Sequence, residues 1–305
     1  MRTAFIATLL SEAKKNPNIF LVTGDLGFGV LEHFQNELPK QFINSGVNEQ
    51  TMMGMAAGMA STGKRVFVYS IANFSTLRCL EQIRNDVCLM NNPVVVVSVG
   101  AGYAYGPQGY THHALEDIAV MRAMPNLEIV IPSDPFETNQ LTAYLANSNS
   151  PSYLRIGKGN EKSINIYKPK LEFGKINEII KGESGTILFV GSIGTVALEA
   201  AALLNEKGIK TAVASVPFIS NLDHDYLKKA SLKGPIITVE EHSPRGGFGS
   251  CLLEYLNKEK IQSKVKIMAA SQFNLSQIGS QDFLRESNGL SAQSVVEEFI
   301  ALREV

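Results

Sequence analysis

The sequence contains few cysteines and no long run of apolar residues. Its three cysteines are odd in number and lack metal-ligand spacing, which favours a reduced, cytoplasmic protein over a disulfide framework. The longest apolar run, around residues 94–97, is far shorter than the ~18 residues that a membrane span requires. Residues 1–16 have the spacing of an amphipathic helix and lack the small-residue cleavage site of a signal peptide.

An excess of charge of either sign is also absent. Lys and Arg number 28 and Asp and Glu 29, for a net charge of −1, so nothing would attract nucleic acid or an anionic membrane. Hydrophobic residues make up 45% and charged residues 19%, a balance that excludes a disordered or collagen-like chain. At roughly 150 residues per domain, the 305 residues predict two domains. A two-domain enzyme or enzyme subunit remains.

Short β-branched segments alternate with longer helical segments. Strands are predicted at 19–26, 65–70, 93–102, 127–134, 186–192, 210–216, 235–241 and 264–270. Nearly continuous Val and Ile are typical of strands buried on both faces of a parallel sheet that helices cover. The expected fold class is therefore α/β, with two three-layer α/β/α domains built on mainly parallel sheets.

A polar, lysine-rich stretch divides the two series of strands. It predicts a linker at 161–182, a first domain at 1–160 and a second domain at 183–305. Helices are expected between the strands, among them one at 194–208 that ends with Gly208 as its C-terminal cap.

One carboxylate falls in the first turn of a predicted helix at 49–62. Glu49 has apolar neighbours, and taken alone it has an ordinary interpretation, a glutamate stabilised by the helix N-terminus by under ~1 kcal/mol. Further along the helix, Gly54 and Gly58 stand four residues apart beside several alanines. That small-residue face predicts close approach of another backbone.

The same segment carries a family resemblance. GVNEQTMMGMAAGMA is similar to the signature G-I-A-E-Q-x-M-x-x-x-A-A-G-x-A of the transketolase family. Four further segments resemble motifs of that family in the same order: TGDLG (23–27), FSTLRCLEQIRND (74–86), GPQGYTHHALEDIAVMRAMPNLEIVIPSD (106–134) and TVEEHSPRGGFGS (238–250). The resemblance spans nearly the whole chain. It implies the pyrimidine-binding and C-terminal domains of that family and a thiamine diphosphate cofactor.

The resemblance also implies roles on the cofactor side. Glu49 matches the glutamate that contacts the pyrimidine ring, where a carboxyl in a low-dielectric pocket drives the tautomer shift that activates the cofactor. Phe74 is the candidate for stacking on that ring, and Ile71 stands where the family often has a further aromatic residue. Asp25 matches the strand-end aspartate, with a turn-capping role as its alternative.

Three residues are assigned to the substrate in the same way. His112 stands where the family has a catalytic histidine that contacts substrate oxygens near the reacting carbon. Gln108 takes the place of the acidic residue in the family's D-G-x-T-H motif. Arg155 matches an arginine that binds sugar phosphates through its bidentate fork, with a salt bridge as the alternative role.

Departures from the family pattern concern the substrate phosphate. Gly100 stands where sugar-phosphate transketolases have a histidine, and Gly29 stands where a serine helps to hold phosphate. Together with Gln108, these changes predict a modified sugar substrate rather than an ordinary pentose phosphate.

A missing motif predicts a partner. Full-length members of the family hold the diphosphate through Mg²⁺ with a G-D-G…N motif, which this sequence lacks, and no metal ligands are expected in this chain. The chain is therefore expected to be the C-terminal subunit of a split transketolase, in an α₂β₂ assembly with an N-terminal subunit. Three alternatives remain open: the β subunit of a 2-oxo acid dehydrogenase's decarboxylating component, a 1-deoxyxylulose-5-phosphate synthase-like enzyme and a catalytically silent regulatory subunit.

Overall fold

The computed structural model describes residues 1–167, 169–270 and 275–304. The strands are β1 (Ile19–Thr23), β2 (Phe42–Asn44), β3 (Arg65–Ile71), β4 (Val94–Val99), β5 (Glu128–Val130), β6 (Ser152–Ile156), β7 (Asn177–Ile180), β8 (Thr186–Phe189), β9 (Ala212–Ser215), β10 (Ile236–Val239) and β11 (Val265–Met268). The helices are α1 (Arg2–Lys15), α2 (Glu32–Glu37), α3 (Glu49–Ser61), α4 (Ala72–Ser75), α5 (Leu80–Gln82), α6 (Asp117–Arg122), α7 (Pro135–Asn147), α8 (Gly194–Glu206), α9 (His224–Lys233), α10 (Phe248–Lys258), α11 (Gln281–Ser287) and α12 (Ala292–Glu304). None of these helices combines the length and hydropathy needed to cross a membrane.

The first sheet has six strands in the order β2-β1-β3-β4-β6-β5, and every pair in it is parallel. Its central strands are buried along their length, as the valine runs predict. Helices α1 and α7 contribute to the core on one face of this sheet, and α3 contributes to the core on the other. The predicted amphipathic helix at the N-terminus is confirmed, because its apolar positions are the buried ones.

The second sheet has five strands in the order β11-β10-β8-β9-β7. Its pairs are parallel except β7, which runs antiparallel to β9. Strand β7 lies inside the stretch predicted as a linker, so the end of that stretch belongs to the sheet. Gly208 follows α8 with φ +76, the left-handed conformation expected of a glycine cap. The α/β fold class is confirmed.

One long predicted helix, residues 74–91, is broken. It consists of α4, a short turn, α5 and a π-helical segment over Ile83–Leu89. The break follows Ser75 and Thr76, whose hydroxyls bond back to carbonyls of the same turn; Thr76 Oγ1 donates to the Ala72 carbonyl at 2.6 Å. Such back-bonding competes with helix continuation.

The parallel arrangement decides where a site can form. The carboxyl ends of β1, β3 and β4 lie at the same edge of the first sheet, and the segments that follow them lead into the loop at residues 24–31, into α4 and into the loop at residues 100–113. In open α/β sheets this edge is where ligands bind. The residues singled out in the first half of the sequence mostly follow these three strands or begin α3.

Candidate active site

Glu49 is the first residue of α3 and is only 5% exposed. Asn48, at the N-cap position, makes no side-chain capping bond, so the helix N-terminus is left to favour a nearby negative charge. The end of β1 packs close by, because a Cβ built at Gly24 would lie 3.9 Å from Glu49 Cγ. The carboxylate Oε2 accepts a hydrogen bond from Arg78 Nη1 at 3.0 Å.

Arg78 lies in the short turn between α4 and α5 and makes a second contact. Its guanidinium carbon is 4.2 Å from the centroid of the Phe74 ring, which is a cation–π distance. The Arg78 side chain is 51% exposed, whereas that of Glu49 is 6% exposed. A buried carboxylate and a partly buried aromatic ring thus share one exposed cation.

His112 completes this group of side chains. Its ring makes an edge contact with the Phe74 ring, with centroids 5.3 Å apart, and its Nδ1 lies 3.0 Å from Thr111 Oγ1. Asn73 fixes the loop, because its Nδ2 donates to the carbonyl of His113 at 2.7 Å. The structure therefore brings Glu49, Phe74 and His112 together at the carboxyl edge of the first sheet.

His113, beside the candidate histidine, supports the loop. It is buried, its Nε2 lies 3.1 Å from the Gly106 carbonyl, and its ring packs edge-on against Tyr103. Burial lowers the pKa of His113, so the neutral ring donates from Nε2 to that carbonyl. The structure gives this residue a packing role.

Three of the candidates lie at the margin of the group. Asp25 is exposed at φ +57, its amide donates to Asn44 Oδ1 at 2.9 Å, and Asn44 Nδ2 donates back to Asp25 Oδ1 at 3.0 Å. This exchange is the turn-capping arrangement. Ile71 is the half-buried last residue of β3, directly before α4. Gln108 is exposed in a turn of the loop, where its amide donates to the Tyr105 carbonyl at 2.9 Å.

Arg155 does not join the group. It is 2% exposed, and its Nε donates to Asp117 Oδ2 at 2.6 Å. Its Nη2 also donates to the carbonyls of Ala114 at 2.8 Å and Glu241 at 3.0 Å. The guanidinium is thus enclosed between the two domains. We correct its assignment accordingly: the geometry favours the salt-bridge alternative over phosphate binding.

His242 borders the same buried ion pair. Its Nδ1 donates to the Ser243 carbonyl at 2.8 Å and its Nε2 accepts from the Ala119 amide at 3.3 Å, so the ring is neutral. Burial lowers the pKa of His242 to about 4, against a smaller opposing effect of Asp117. Burial alone would raise the pKa of the Asp117 carboxyl, but the charge of Arg155 outweighs it and the pKa is lowered.

Sequence reasoning missed Arg78 and Asn73. Neither has a periodic or motif signal that separates it from any other polar residue in the stretch 74–86 and its approach. Their roles depend on the break after Thr76, which turns Arg78 toward Glu49. Similarly, nothing in the spacing of Arg155 reveals that its partner is Asp117.

The small-residue face of α3 does not receive another part of this chain. A Cβ built at Gly54 or Gly58 would meet no atom within 4 Å among the described residues outside the helix backbone. The close approach expected there therefore stays a prediction about a second molecule.

The group around Glu49 fits a flat, nitrogen-containing ring. A buried carboxylate accepts N–H donors, and the half-buried Phe74 offers a surface for stacking. In the ranges 1–167, 169–270 and 275–304, no group of three His, Cys, Asp or Glu side chains is placed to hold a metal ion.

Comparisons with known proteins give the following matches. Residues 1–162 match the family model "Transketolase, pyrimidine binding domain", and residues 174–295 match "Transketolase, C-terminal domain". One of the two subunits of apulose-4-phosphate transketolase from Phocaeicola vulgatus is 38% identical over 268 residues, which are 87% of this chain and 86% of the relative. A putative transketolase C-terminal section of Methanocaldococcus jannaschii is 34% identical over 304 residues, 98% of this chain and 95% of the relative.

A solved structure is similar over its whole length. It is that of a split-gene transketolase in the form of an inactive beta4 tetramer, and it superposes with a TM-score of 0.91 at 30% identity. The superposition covers 99% of this chain and 98% of that chain.

Proposed function

Because this chain belongs to the transketolase family, as the five motifs predict, we propose that it is the C-terminal (beta) subunit of a thiamine-diphosphate-dependent transketolase. Its reaction would transfer a two-carbon ketol unit from a ketose to an aldehyde acceptor. The observation that carries the proposal is the convergence of Glu49, Phe74 and His112 at one sheet edge.

Glu49 and Phe74 are the residues that would hold the pyrimidine ring of the cofactor. When bound, thiamine diphosphate supplies the nucleophilic carbon and the electron sink that ketol transfer requires. Glu49 would share a proton with a ring nitrogen, and its burial strengthens that hydrogen bond. Phe74 would fix the plane of the ring by stacking.

His112 would act on the substrate. Its ring packs against Phe74, so a substrate that reacts beside the pyrimidine ring would come within its reach. An imidazole can donate a hydrogen bond, accept one or transfer a proton, and each of these suits a hydroxyl next to the breaking carbon–carbon bond.

The diphosphate and Mg²⁺ would be held by a partner, an N-terminal transketolase subunit, in an α₂β₂ assembly. The naming of the Phocaeicola vulgatus relative as one subunit of its enzyme, together with the split-gene neighbour, supports a two-chain enzyme. The open face at Gly54 and Gly58 is a candidate contact in that assembly. The three cysteines are free and buried, which supports a cytoplasmic location.

The substrate would be a modified sugar phosphate, as the apulose-4-phosphate relative suggests. Support comes from Gly100, which has φ +92 and lies under Tyr105: a Cβ there would be 2.1 Å from Tyr105 Cε2. A histidine would therefore clash with Tyr105, and the space for a phosphate contact is filled differently. Gly29 and Gln108 are the other two departures on this side.

The substitution Glu49→Gln tests this function. In the complex with the partner subunit, the variant should keep thiamine diphosphate affinity within about tenfold but lose about 10²–10⁴-fold in ketol transfer, because an amide cannot share the proton. Glu81→Gln, at an exposed position of α5, is the matched control and should keep full activity.

The assay offers ketose phosphates, including apulose 4-phosphate, and follows transfer to an aldehyde. Near-full transfer by Glu49→Gln would contradict the role of the carboxylate. Release of CO₂ from 2-oxo acids without ketol transfer, or cofactor binding without turnover on any ketose, would contradict the transketolase assignment.

A further inference from the structure

Arg78 occupies the space between the two residues assigned to the cofactor ring. It donates to Glu49 Oε2 at 3.0 Å, and its guanidinium carbon lies 4.2 Å from the Phe74 ring centroid. One planar group therefore makes both contacts that the proposed function requires of the pyrimidine ring, a hydrogen bond to the carboxylate and packing on the aromatic face.

We propose that Arg78 is a placeholder for the pyrimidine ring, which must leave Glu49 and Phe74 before the cofactor can bind. The inference rests on the proposed function. Its central point is mutual exclusion: the space reached from both the Glu49 carboxylate and the Phe74 face holds the guanidinium, so a ring cannot use it at the same time.

The chemistry of the two groups matches. A guanidinium is flat, carries N–H donors in its plane and stacks on aromatic rings. These properties suit the same pair of protein groups that would bind an aminopyrimidine. The guanidinium also balances the charge of Glu49, which is 5% exposed and would otherwise be an uncompensated buried carboxylate while no ring is bound.

Arg78 is the member of the group that can move. Its side chain is 51% exposed, and it extends from a short turn between α4 and α5 rather than from the interior of a long helix. Glu49 is held by its buried position at the start of α3. Exposed ion pairs are weak, so exchange of the guanidinium for a ring costs little. Arg78 thereby acts as a positioning residue that competes with the cofactor.

The test measures thiamine diphosphate affinity by calorimetry in the complex of this chain with its partner subunit, at constant Mg²⁺. Arg78→Met removes the competing cation and retains an unbranched side chain. We expect its dissociation constant to fall about 3- to 10-fold relative to wild type, a gain that corresponds to one exposed cationic contact. Arg78→Lys keeps the charge but not the flat group and should fall between the two.

Arg84→Met is the matched control. Arg84 is exposed, donates to Asn85 Oδ1 at 2.8 Å, and lies in the segment that follows α5, so its loss removes the same charge without touching Glu49. Its affinity should equal that of wild type. Unchanged or weakened binding by Arg78→Met, or equal tightening by Arg84→Met, would overturn the inference while leaving the proposed function intact. A wild-type complex that binds no cofactor would instead contradict the proposed function.

Discussion

Two arginine–carboxylate pairs in this chain have similar geometry and opposite surroundings. Arg78 reaches Glu49 at 3.0 Å with side chains 51% and 6% exposed. Arg155 reaches Asp117 at 2.6 Å with side chains 2% and 0% exposed. The comparison teaches that burial of both partners, rather than the ion pair itself, decides whether an arginine is a fixed part of the fold or a group that a ligand can replace.

The surroundings of Arg155 explain its permanence. Its guanidinium also donates to backbone carbonyls of Ala114 and Glu241, so one side chain links the first domain to the second. Asp117 accepts further from the Tyr153 hydroxyl at 2.5 Å. A fully desolvated pair with these extra bonds cannot open without leaving a buried charge.

The largest expected effect follows from breaking the buried pair. Arg155→Met should lower the free energy of unfolding by about 3–5 kcal/mol, because Asp117 would stay buried without its cation. Equilibrium unfolding in urea measures the change. If Asp117→Asn in the Arg155→Met background did not restore part of the loss, the uncompensated charge would not be its cause.

The next effect tests the neutral histidine beside that pair. The pKa of His242 is about 4 in the folded chain against an ordinary value of 6.5, so the unfolded chain binds the proton first as the pH falls. His242 therefore contributes stability that is complete above pH 6.5 and lost between pH 6.5 and about 4, up to about 3 kcal/mol.

The measurement compares urea unfolding of wild type and His242→Gln across that pH range. The difference in unfolding free energy, wild type minus variant, should rise from pH 4 to 6.5 and then stay level. A difference that is independent of pH would contradict the buried neutral histidine.

The smallest effect concerns the exposed pair. Arg78→Met should change the free energy of unfolding of this chain by less than about 1 kcal/mol, since a half-exposed cation contributes little. The same urea experiment serves, with Arg155→Met alongside. Equal losses for the two variants would remove the distinction between the fixed pair and the replaceable one.

The sequence predicted the part of the site that depends on regular structure. The start of α3 at Glu49 follows from its periodic pattern, and the strand that leads to α4 follows from a valine-rich run. Motif resemblance then placed His112 beside Phe74, and the structure brings them together.

What the sequence could not supply depends on irregular structure and distant contacts. The contact of Arg78 with Glu49 joins residues 29 apart and requires the helix break after Thr76. For Arg155 the residue type suited both a phosphate and a carboxylate, and only its enclosure against the second domain decides between them. Strands β2 and β7 are short, and each pairs with one neighbour at the edge of its sheet, so their patterns were too brief to be recognised.

The central claim is that this chain holds one half of a cofactor site. Its most direct test is calorimetric titration of thiamine diphosphate with Mg²⁺ into this chain alone and into its complex with the native partner subunit. The account predicts weak or absent binding to the isolated chain and tight binding to the complex. Tight binding to the isolated chain would contradict it.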